Sequence, residues 1–346
     1  MVRVGIVGVT GYAGAELLRL LLGHPQVEIA HLVSESNAGA ELPALYGSFR
    51  GMGLPTMEEL DHKTLGADCD IVFTALPHVV SAGTVPKIAA AGAKVIDLSG
   101  DFRYNDAAVY EQWYGHAHPH PELLKTAVYG MPELYREQIR TAAIVGNPGC
   151  YTTCSILTLA PAVKDGLIHP NGAIIDAKSG VSGAGRKATQ DLHFCEAHEN
   201  FKAYKVTGHR HTSEIEQELS QLNHGPVTLT FTPHLLPVKR GILATIYAPL
   251  AKPVSHEQIF EHYQAFFEGH PFVVIHPKGS LPELKHVVGS NRLHIGWEID
   301  KRTNRLILVS ALDNLIKGAG GQAIQNMNLM TGMDETEGLR TVANYL

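Results

Sequence analysis

Val2-Arg3-Val4-Gly5-Ile6-Val7-Gly8-Val9-Thr10-Gly11-Tyr12-Ala13-Gly14-Ala15-Glu16-Leu17-Leu18-Arg19-Leu20-Leu21 reads as a strand that breaks at glycine and resumes with helical periodicity. The glycines form G-x-x-G-x-x-G between the two elements. Glycine there lets backbone N–H groups approach a pyrophosphate at a helix N-terminus, where the helix dipole favours an anion. A glycine triplet alone is weak, and its context strengthens it: Val27-Glu28-Ile29-Ala30-His31-Leu32-Val33 supplies a second strand about one βα unit later. An α/β dinucleotide-binding domain is therefore expected, with Gly8, Thr10, Gly11, Tyr12, Ala13 and Gly14 against the cofactor.

The residues ending that second strand bear on NAD against NADP, because an acid there accepts from a ribose 2′-OH and repels a 2′-phosphate. They are Ser34-Glu35-Ser36-Asn37. The hydroxyls of Ser34 and Ser36 suit a phosphate and Glu35 does not, so the residues leave the choice open. Asp70 to His78 and Ala93 to Ser99 each read as a further strand ending in a polar loop. Ligands of such sheets bind outside the carboxyl ends of the strands, which makes Ala75, Leu76 and Pro77, and the loop Ser99 to Arg103, candidate site segments. His78 reads equally as a surface histidine.

Ala142-Ala143-Ile144-Val145 is another buried strand, cut sharply by Gly146-Asn147-Pro148-Gly149 before Cys150-Tyr151-Thr152-Thr153-Cys154-Ser155-Ile156-Leu157. The run after the turn predicts a helix beginning just behind Cys150. A helix N-terminus raises a thiol's ionised fraction, which points to a nucleophile. The alternative is a small buried hydrophobe, the usual fate of a free cysteine. Cys69, Cys154 and Cys195 lack the turn-then-helix setting and take that structural reading.

Beyond Cys150, Gly172 to Gly180 looks like a strand running into the glycine-rich basic loop Val181-Ser182-Gly183-Ala184-Gly185-Arg186-Lys187. Such a loop suits an anion, although surface glycine loops are common. Val227 to Val238 and Gly241 to Leu250 are β-rich, with Lys239-Arg240-Gly241 between them as an antiparallel turn, and three more strands follow within Phe272 to Ala311. A substantial mixed sheet is expected. Asp313 to Met327 then turns helical, with a glycine-rich start near the cofactor. In Gly208-His209-Arg210-His211-Thr212-Ser213-Glu214, Thr212 or Ser213 can cap a helix whose approach carries two histidines, either of which suits acid-base work or orienting a thiolate. Exposed loop histidine is the plain alternative.

A chain of 346 residues is long for one core, so two domains are expected. Four scattered cysteines argue against a disulfide framework and for a reducing compartment, the cytoplasm. No leader pattern and no run of about eighteen apolar residues occurs, which disfavours secretion and membrane insertion. A net charge of −6 without a basic stretch disfavours nucleic acid. His116, His118 and His120 alternate with Pro119 and Pro121 and are expected in a solvated loop rather than on a metal.

Four motifs occur in one order: Gly8-x-x-Gly11-Tyr12-x-Gly14-x-Glu16-Leu17, Gly-Asn-Pro-Gly-Cys150-Tyr, Gly208-His209-Arg210-His211-Thr212, and Asn314-Leu315-x-Lys317-Gly318-Ala319-x-Gly321-Gln322-Ala323. Together they resemble the N-acetyl-gamma-glutamyl-phosphate reductases of the aspartate-semialdehyde dehydrogenase superfamily, over essentially the whole chain. The resemblance implies a Rossmann domain at 1–149 and 314–346, interrupted by an α+β catalytic and dimerisation domain with a mixed sheet at 150–313. It also implies NADPH as reductant, a place in arginine biosynthesis and a homodimer or homotetramer. Carried over by position, Cys150 resembles the nucleophile, with His211, slightly preferred to His209, as the acid-base group. Ser182, Gly183, Asn314, Lys317 and Gly318 are expected at the cofactor, and Arg103, Asn147, Arg186, Lys187 and Glu214 at the acyl-phosphate substrate. Ser99-Gly100-Asp101-Phe102-Arg103 departs from the family's Ser-Ala-Asp-Phe-Arg at Gly100, and Glu35 stands where many members carry a basic residue, which puts strict NADP preference in question. The competing readings are a reductase of a related acyl phosphate, aspartyl or aminoadipyl, and a non-catalytic NADP-binding regulator.

Overall fold

The computed structural model describes residues 1–344 and divides the chain into two compact units, Met1–Gly149 with Ala319–Arg340, and Cys150–Gly318 with the residues from Thr341 on. The second crossing thus falls after Gly318, so Asn314 to Gly318, expected in the first domain, lie in the second unit, as does the stretch from Thr341. Residues 345 and 346 of that expected span lie outside the described residues.

In the first unit, β1 (Val2–Val7), α1 (Tyr12–Leu21), β2 (Val27–Val33), α2 (His62–Asp68), β3 (Ile71–Thr74), α3 (Val80–Ala90), β4 (Lys94–Asp97), α4 (Ala107–Tyr114), β5 (Val128–Tyr129), α5 (Pro132–Thr141) and β6 (Ile144–Gly146) follow one another. The strands form a parallel sheet in the order β2-β1-β3-β4-β6-β5. Parallel strands covered on both faces read as continuous apolar runs. Ile71, Val72 and Phe73 of β3 are accordingly all fully buried, and Val85 and Ile88 of α3 pack into the same core. The strand order reverses between β1 and β3, the crevice where such sheets bind ligands.

The second unit begins with α6 (Cys150–Lys164), then β7 (Ile174–Gly180), α7 (Phe194–Ala197), β8 (Lys202–Ala203), α8 (His211–Leu222), β9 (Thr230–Leu236), β10 (Ile242–Pro249), α9 (His256–Phe266), β11 (Val273–Ile275), β12 (Leu293–Asp300) and β13 (Arg305–Leu312). Its sheet is mixed, in the order β11-β12-β13-β10-β7-β9-β8. α6 is buried from Tyr151 to Val163 and packs on β10 and β13.

The expected hairpin between β9 and β10 does not form. β7 lies between them, parallel to β9 and antiparallel to β10. The connection instead strides over the end of β7, where Gly180, Val181 and Ser182 donate to the carbonyls of Gly241, Val238 and Lys239. Gly180 permits the crossing, since a Cβ there would stand 2.7 Å from Arg240 N.

After β13, Ile316–Gly320 winds as a π-helical turn before α10 (Gly321–Met330). α10 belongs to the first unit and is buried along its whole length despite carrying Gln322, Gln325, Asn326 and Asn328. Those amides are used. Gln322 and Asn326 both donate to the Gly130 carbonyl, at 3.0 and 2.9 Å. Among the described residues no helix is long and apolar enough to cross a membrane, and no group of three metal-ligating side chains comes together.

Candidate active site

In the first unit the glycine turn closes tightly. Gly8 has φ of 87° and no room for a Cβ, which would sit 2.5 Å from the Ala75 carbonyl oxygen. Gly14 is equally pressed, 2.4 Å from the Gly8 oxygen, so these two glycines are required by β1, β3 and α1 packing together. Gly11 differs: it has φ of −76°, and the nearest atom to a Cβ would be at an ordinary 3.6 Å. It caps α1 with no side-chain hydrogen bond and no acid in the first turn. A bare helix start with a glycine that its own chain does not require fits the approach of a pyrophosphate. Thr10 Oγ1 lies 3.3 Å from Ser34 Oγ, and Asn37 donates to Ser34 Oγ and Ser36 Oγ, so the hydroxyls named from the sequence gather at the end of β2. Glu35 is exposed on a single 3₁₀ turn beside them.

At the ends of β3 and β4, Ala75 and Leu76 are half-buried and Pro77 is exposed. The Ser99 to Arg103 loop is built around two buried acids. Asp97 receives Thr74 Oγ1 at 2.7 Å, Ser99 Oγ at 2.5 Å and the Ser81 hydroxyl, while burial pushes its carboxyl upward. Asp101 accepts the Val79 and Ala82 amides at 2.8 and 2.9 Å and so caps α3. The glycine at position 100 has a local cause: a Cβ would meet the Tyr114 hydroxyl at 1.8 Å.

Arg103 and Asn147, expected as substrate ligands, are engaged within this unit. Arg103 is 6% exposed; its Nε donates to the Asn147 carbonyl at 2.6 Å and its Nη2 to the Leu98 carbonyl at 2.8 Å. Asn147 N–H donates to the Asp97 carbonyl, its Nδ2 to the Ala319 carbonyl, and its Oδ1 accepts from Asn326. Both residues brace the turn that leads to Cys150. His118 also departs from expectation: it is buried, edge-on to Phe102 and Tyr110, and burial holds its pKa below the usual range.

In the second unit Cys150 is the first residue of α6 and is partly exposed. Gly318 abuts it, since a Cβ on Gly318 would stand 2.7 Å from Cys150 Cβ. The π turn carrying Gly318 hangs from Asp313, which is fully buried, accepts the Gly289 and Leu315 amides and pairs with Arg240 at 3.2 Å. Asn314 Oδ1 accepts the Gly241 amide and its Nδ2 donates to Ser182 Oγ, gathering the 182–183 loop, the 241 turn and the π turn. Gly183 is exposed in that loop. Lys317, expected at the cofactor, is fully buried with its ammonium 5.6 Å from the Phe272 ring centroid. Cys154 and Cys69 are buried, and burial pushes both thiols up to about 12; Cys195 lies exposed on α7.

α8 starts at His211, earlier than the expected caps Thr212 and Ser213. His209 Nδ1 accepts the His211 amide at 3.2 Å, with the two rings 4.7 Å apart. Around them stand Tyr151, Tyr204 and Phe231: His209 lies edge-on to all three at 5.4 to 5.7 Å, and His211 edge-on to Tyr151 at 5.9 Å. Burial, then the charges of Lys205 and Arg210, lowers His209 to about 4. Tyr204 donates to Tyr151, and Tyr151 to the His234 carbonyl, at 3.4 and 3.0 Å; burial raises both phenols, Tyr204 to about 12. Tyr151 is legible as the residue after the cysteine, whereas Tyr204 and Phe231 carry no sequence signal because only the fold brings them to the histidines. Arg186 and Lys187 are exposed beyond Gly185. Glu214, expected at the substrate, is fully buried in the first turn of α8.

The family model described as semialdehyde dehydrogenase, NAD binding domain, matches residues 3–142, and the one described as semialdehyde dehydrogenase, dimerisation domain, matches residues 150–314. The N-acetyl-gamma-glutamyl-phosphate reductase of Acetivibrio thermocellus is 49% identical over 346 residues, 100% of both chains. That of Symbiobacterium thermophilum is 51% identical over 98% of this chain and 97% of its own. Among solved structures, aspartate semialdehyde dehydrogenase II of Vibrio cholerae complexed with ASA superposes with a TM-score of 0.73 at 19% identity, covering 96% of this chain and 98% of that one. Aspartate semialdehyde dehydrogenase of Candida albicans with NADP superposes with a TM-score of 0.67 at 16% identity, covering 96% and 98%. These last two speak to the fold alone.

Proposed function

We propose, for a chain that belongs to the N-acetyl-gamma-glutamyl-phosphate reductase family, that it reduces N-acetyl-gamma-glutamyl phosphate to N-acetylglutamate 5-semialdehyde with release of phosphate, using NADPH, in arginine biosynthesis. The observation that carries this reading is Cys150 at the start of α6, packed against Gly318 in the same unit as the His209 and His211 pair. An acyl phosphate is already activated, so it needs a nucleophile that expels phosphate and then presents a carbonyl for reduction. The Cys150 thiolate attacks the γ-carbonyl; the tetrahedral oxyanion collapses, the C–O bond to phosphate breaks, and a thioester remains on Sγ. The first-turn amides of α6 face the oxyanion at this stage and again after reduction. NADPH, when bound, supplies the hydride, and the Gly8 to Gly14 turn with the uncapped start of α1 suits its pyrophosphate. Cleavage of the C–S bond then frees the aldehyde and returns the thiolate.

His209 is the acid-base group in this reading, in preference to His211. With Nδ1 accepting the His211 amide, its Nε2 is the nitrogen left to serve the reaction. An imidazole kept neutral by burial takes the thiol proton only where the thiolate it creates stays beside it. Arg186 and Lys187 supply cations for the substrate's anionic groups, and Arg103 and Asn147 hold the turn before Cys150. Four free cysteines accord with a reducing, cytoplasmic compartment. The match to a dimerisation domain accords with a homodimer.

The test is phosphate-dependent oxidation of N-acetylglutamate semialdehyde with NADP and NAD in parallel. Turnover with NADP that requires phosphate and disappears in Cys150→Ser is expected. Turnover with aspartate semialdehyde instead would reassign the substrate, and activity retained by Cys150→Ser would remove the covalent route.

A further inference from the structure

We propose that Glu214 is a positioning residue that sets the acid-base histidines against the nucleophile, and that it does not bind substrate. This rests on the reading above of Cys150 and the histidine pair. Glu214 is 0% exposed, and its Oε1 accepts from Thr152 Oγ1 at 2.7 Å. Thr152 is also fully buried, in the first turn of α6 two residues beyond Cys150. Glu214 sits in the first turn of α8, whose first residue is His211, and the His211 amide in turn holds the His209 ring. The two helices pack together. One hydrogen bond therefore ties the helix start that carries the thiol to the helix start that carries the imidazoles. A fully buried carboxylate reaches a substrate arriving from solvent only by abandoning Thr152, which leaves a buried hydroxyl without that partner, at a cost in stability.

The consequence lies in the offset between thiol and imidazole, where a displacement of about 1 Å costs roughly 10²-fold in rate. The full chain is assayed as Glu214→Gln, Glu214→Ala, Thr152→Ser and Thr152→Val, reading kcat and KM for the semialdehyde and the pH dependence of Cys150 alkylation by iodoacetamide. Glu214→Ala and Thr152→Val are expected to lose about 10²-fold in kcat with KM within about twofold, and their double variant to be no worse than either alone. Glu214→Gln and Thr152→Ser, which keep an acceptor and a donor, are expected to recover most of the rate. Alkylation near neutral pH is expected to be slower in Thr152→Val than in the parent or Thr152→Ser.

A raised KM with kcat preserved in the Glu214 variants, or additive losses in the double variant, would overturn the positioning role. If Glu214→Ala does not fold, the Thr152 pair decides by the same criteria. If the parent protein turns over none of the aldehydes, the reductase reading fails while alkylation still judges Glu214: equal rates in Thr152→Val and Thr152→Ser sink it.

Discussion

His209 and His211 carry the same side chain two residues apart, and their surroundings separate them. His209 is enclosed by Tyr151, Tyr204 and Phe231, and its Nδ1 is occupied; His211 begins α8, at the helix end that disfavours a cation. His209→Asn is accordingly expected to lower kcat by about 10² to 10⁴-fold, the usual contribution of a general acid-base group, and His211→Asn to stay within about tenfold. The reverse order in steady-state rates would exchange the two roles. Stability follows from the same burial. His209 is lowered to about 4 when folded, against 6.5 for an ordinary histidine, so between those values the unfolded chain binds the extra proton. Its contribution is present above about 6.5 and is lost as pH falls toward about 4. His294, lowered to about 4 by burial, acts in the same direction. Melting temperatures measured from pH 7 down to 4.5 should fall, and fall less steeply in His209→Asn; a flat parent profile would contradict the neutral buried imidazole. Residue type alone does not say what Arg103, Asn147 and Lys317 touch: an arginine or asparagine suited to a ligand is equally suited to buried carbonyls, and only the fold says which are near.

At the scale of elements, the glycine turn separates what folding needs from what the cofactor needs. Gly14→Ala presses a methyl within 2.4 Å of the Gly8 oxygen and is expected to cost about 1–3 kcal/mol in unfolding free energy. Gly11→Ala meets nothing nearer than 3.6 Å, so it should leave stability within about 0.5 kcal/mol while raising the KM for NADPH. Denaturant titration paired with cofactor kinetics reads both, and unchanged kinetics in a stable Gly11→Ala would move the pyrophosphate away from α1. The strand-glycine-helix start, the longer strands of both sheets and the helix behind Cys150 were legible because each has its own periodicity, whereas the two-residue β5 and β8 are too short to show one and were not read. Strand neighbours were not: β9 and β10 are joined by a short turn, yet β7 intervenes, and nothing local in Lys239-Arg240-Gly241 distinguishes a hairpin from a stride over another strand. The π turn at Ile316–Gly320 was missed for a related reason, since its shape answers to Cys150 and Asp313, not to its own residues.

At the scale of the whole molecule, the open question is what covers the second sheet. One face is closed by α6, and there Ile175, Ala244, Ile246, Leu306 and Leu308 are fully buried. The opposite face carries the alternate residues, which are only half-buried or exposed: Ile174, Tyr247 and Ile307 stand in one cross-strand row, Lys178 and Leu243 in another, and Asp176, Thr245 and Val309 between them. The face mixes aliphatic and aromatic side chains and is broken by an Asp176 to Lys178 ion pair at 2.7 Å, and a contiguous apolar patch with a polar break is the pattern of an interaction surface. Residues 150–314 match a dimerisation domain, and a second copy of the same face is the expected occupant, since a two-fold axis would bring its apolar rows onto each other. Sedimentation of the parent protein should then give twice the chain mass at micromolar concentration. Tyr247→Lys should give a folded species of single mass, because a lysine between Ile174 and Ile307 buries a charge within that apolar row only if the dimer persists. A parent protein of single mass, or a Tyr247→Lys variant that stays dimeric, would place the interface elsewhere. Cys150 lies on α6, across the sheet from this face, so the monomeric variant is expected to retain alkylation of Cys150 by iodoacetamide at the parent rate.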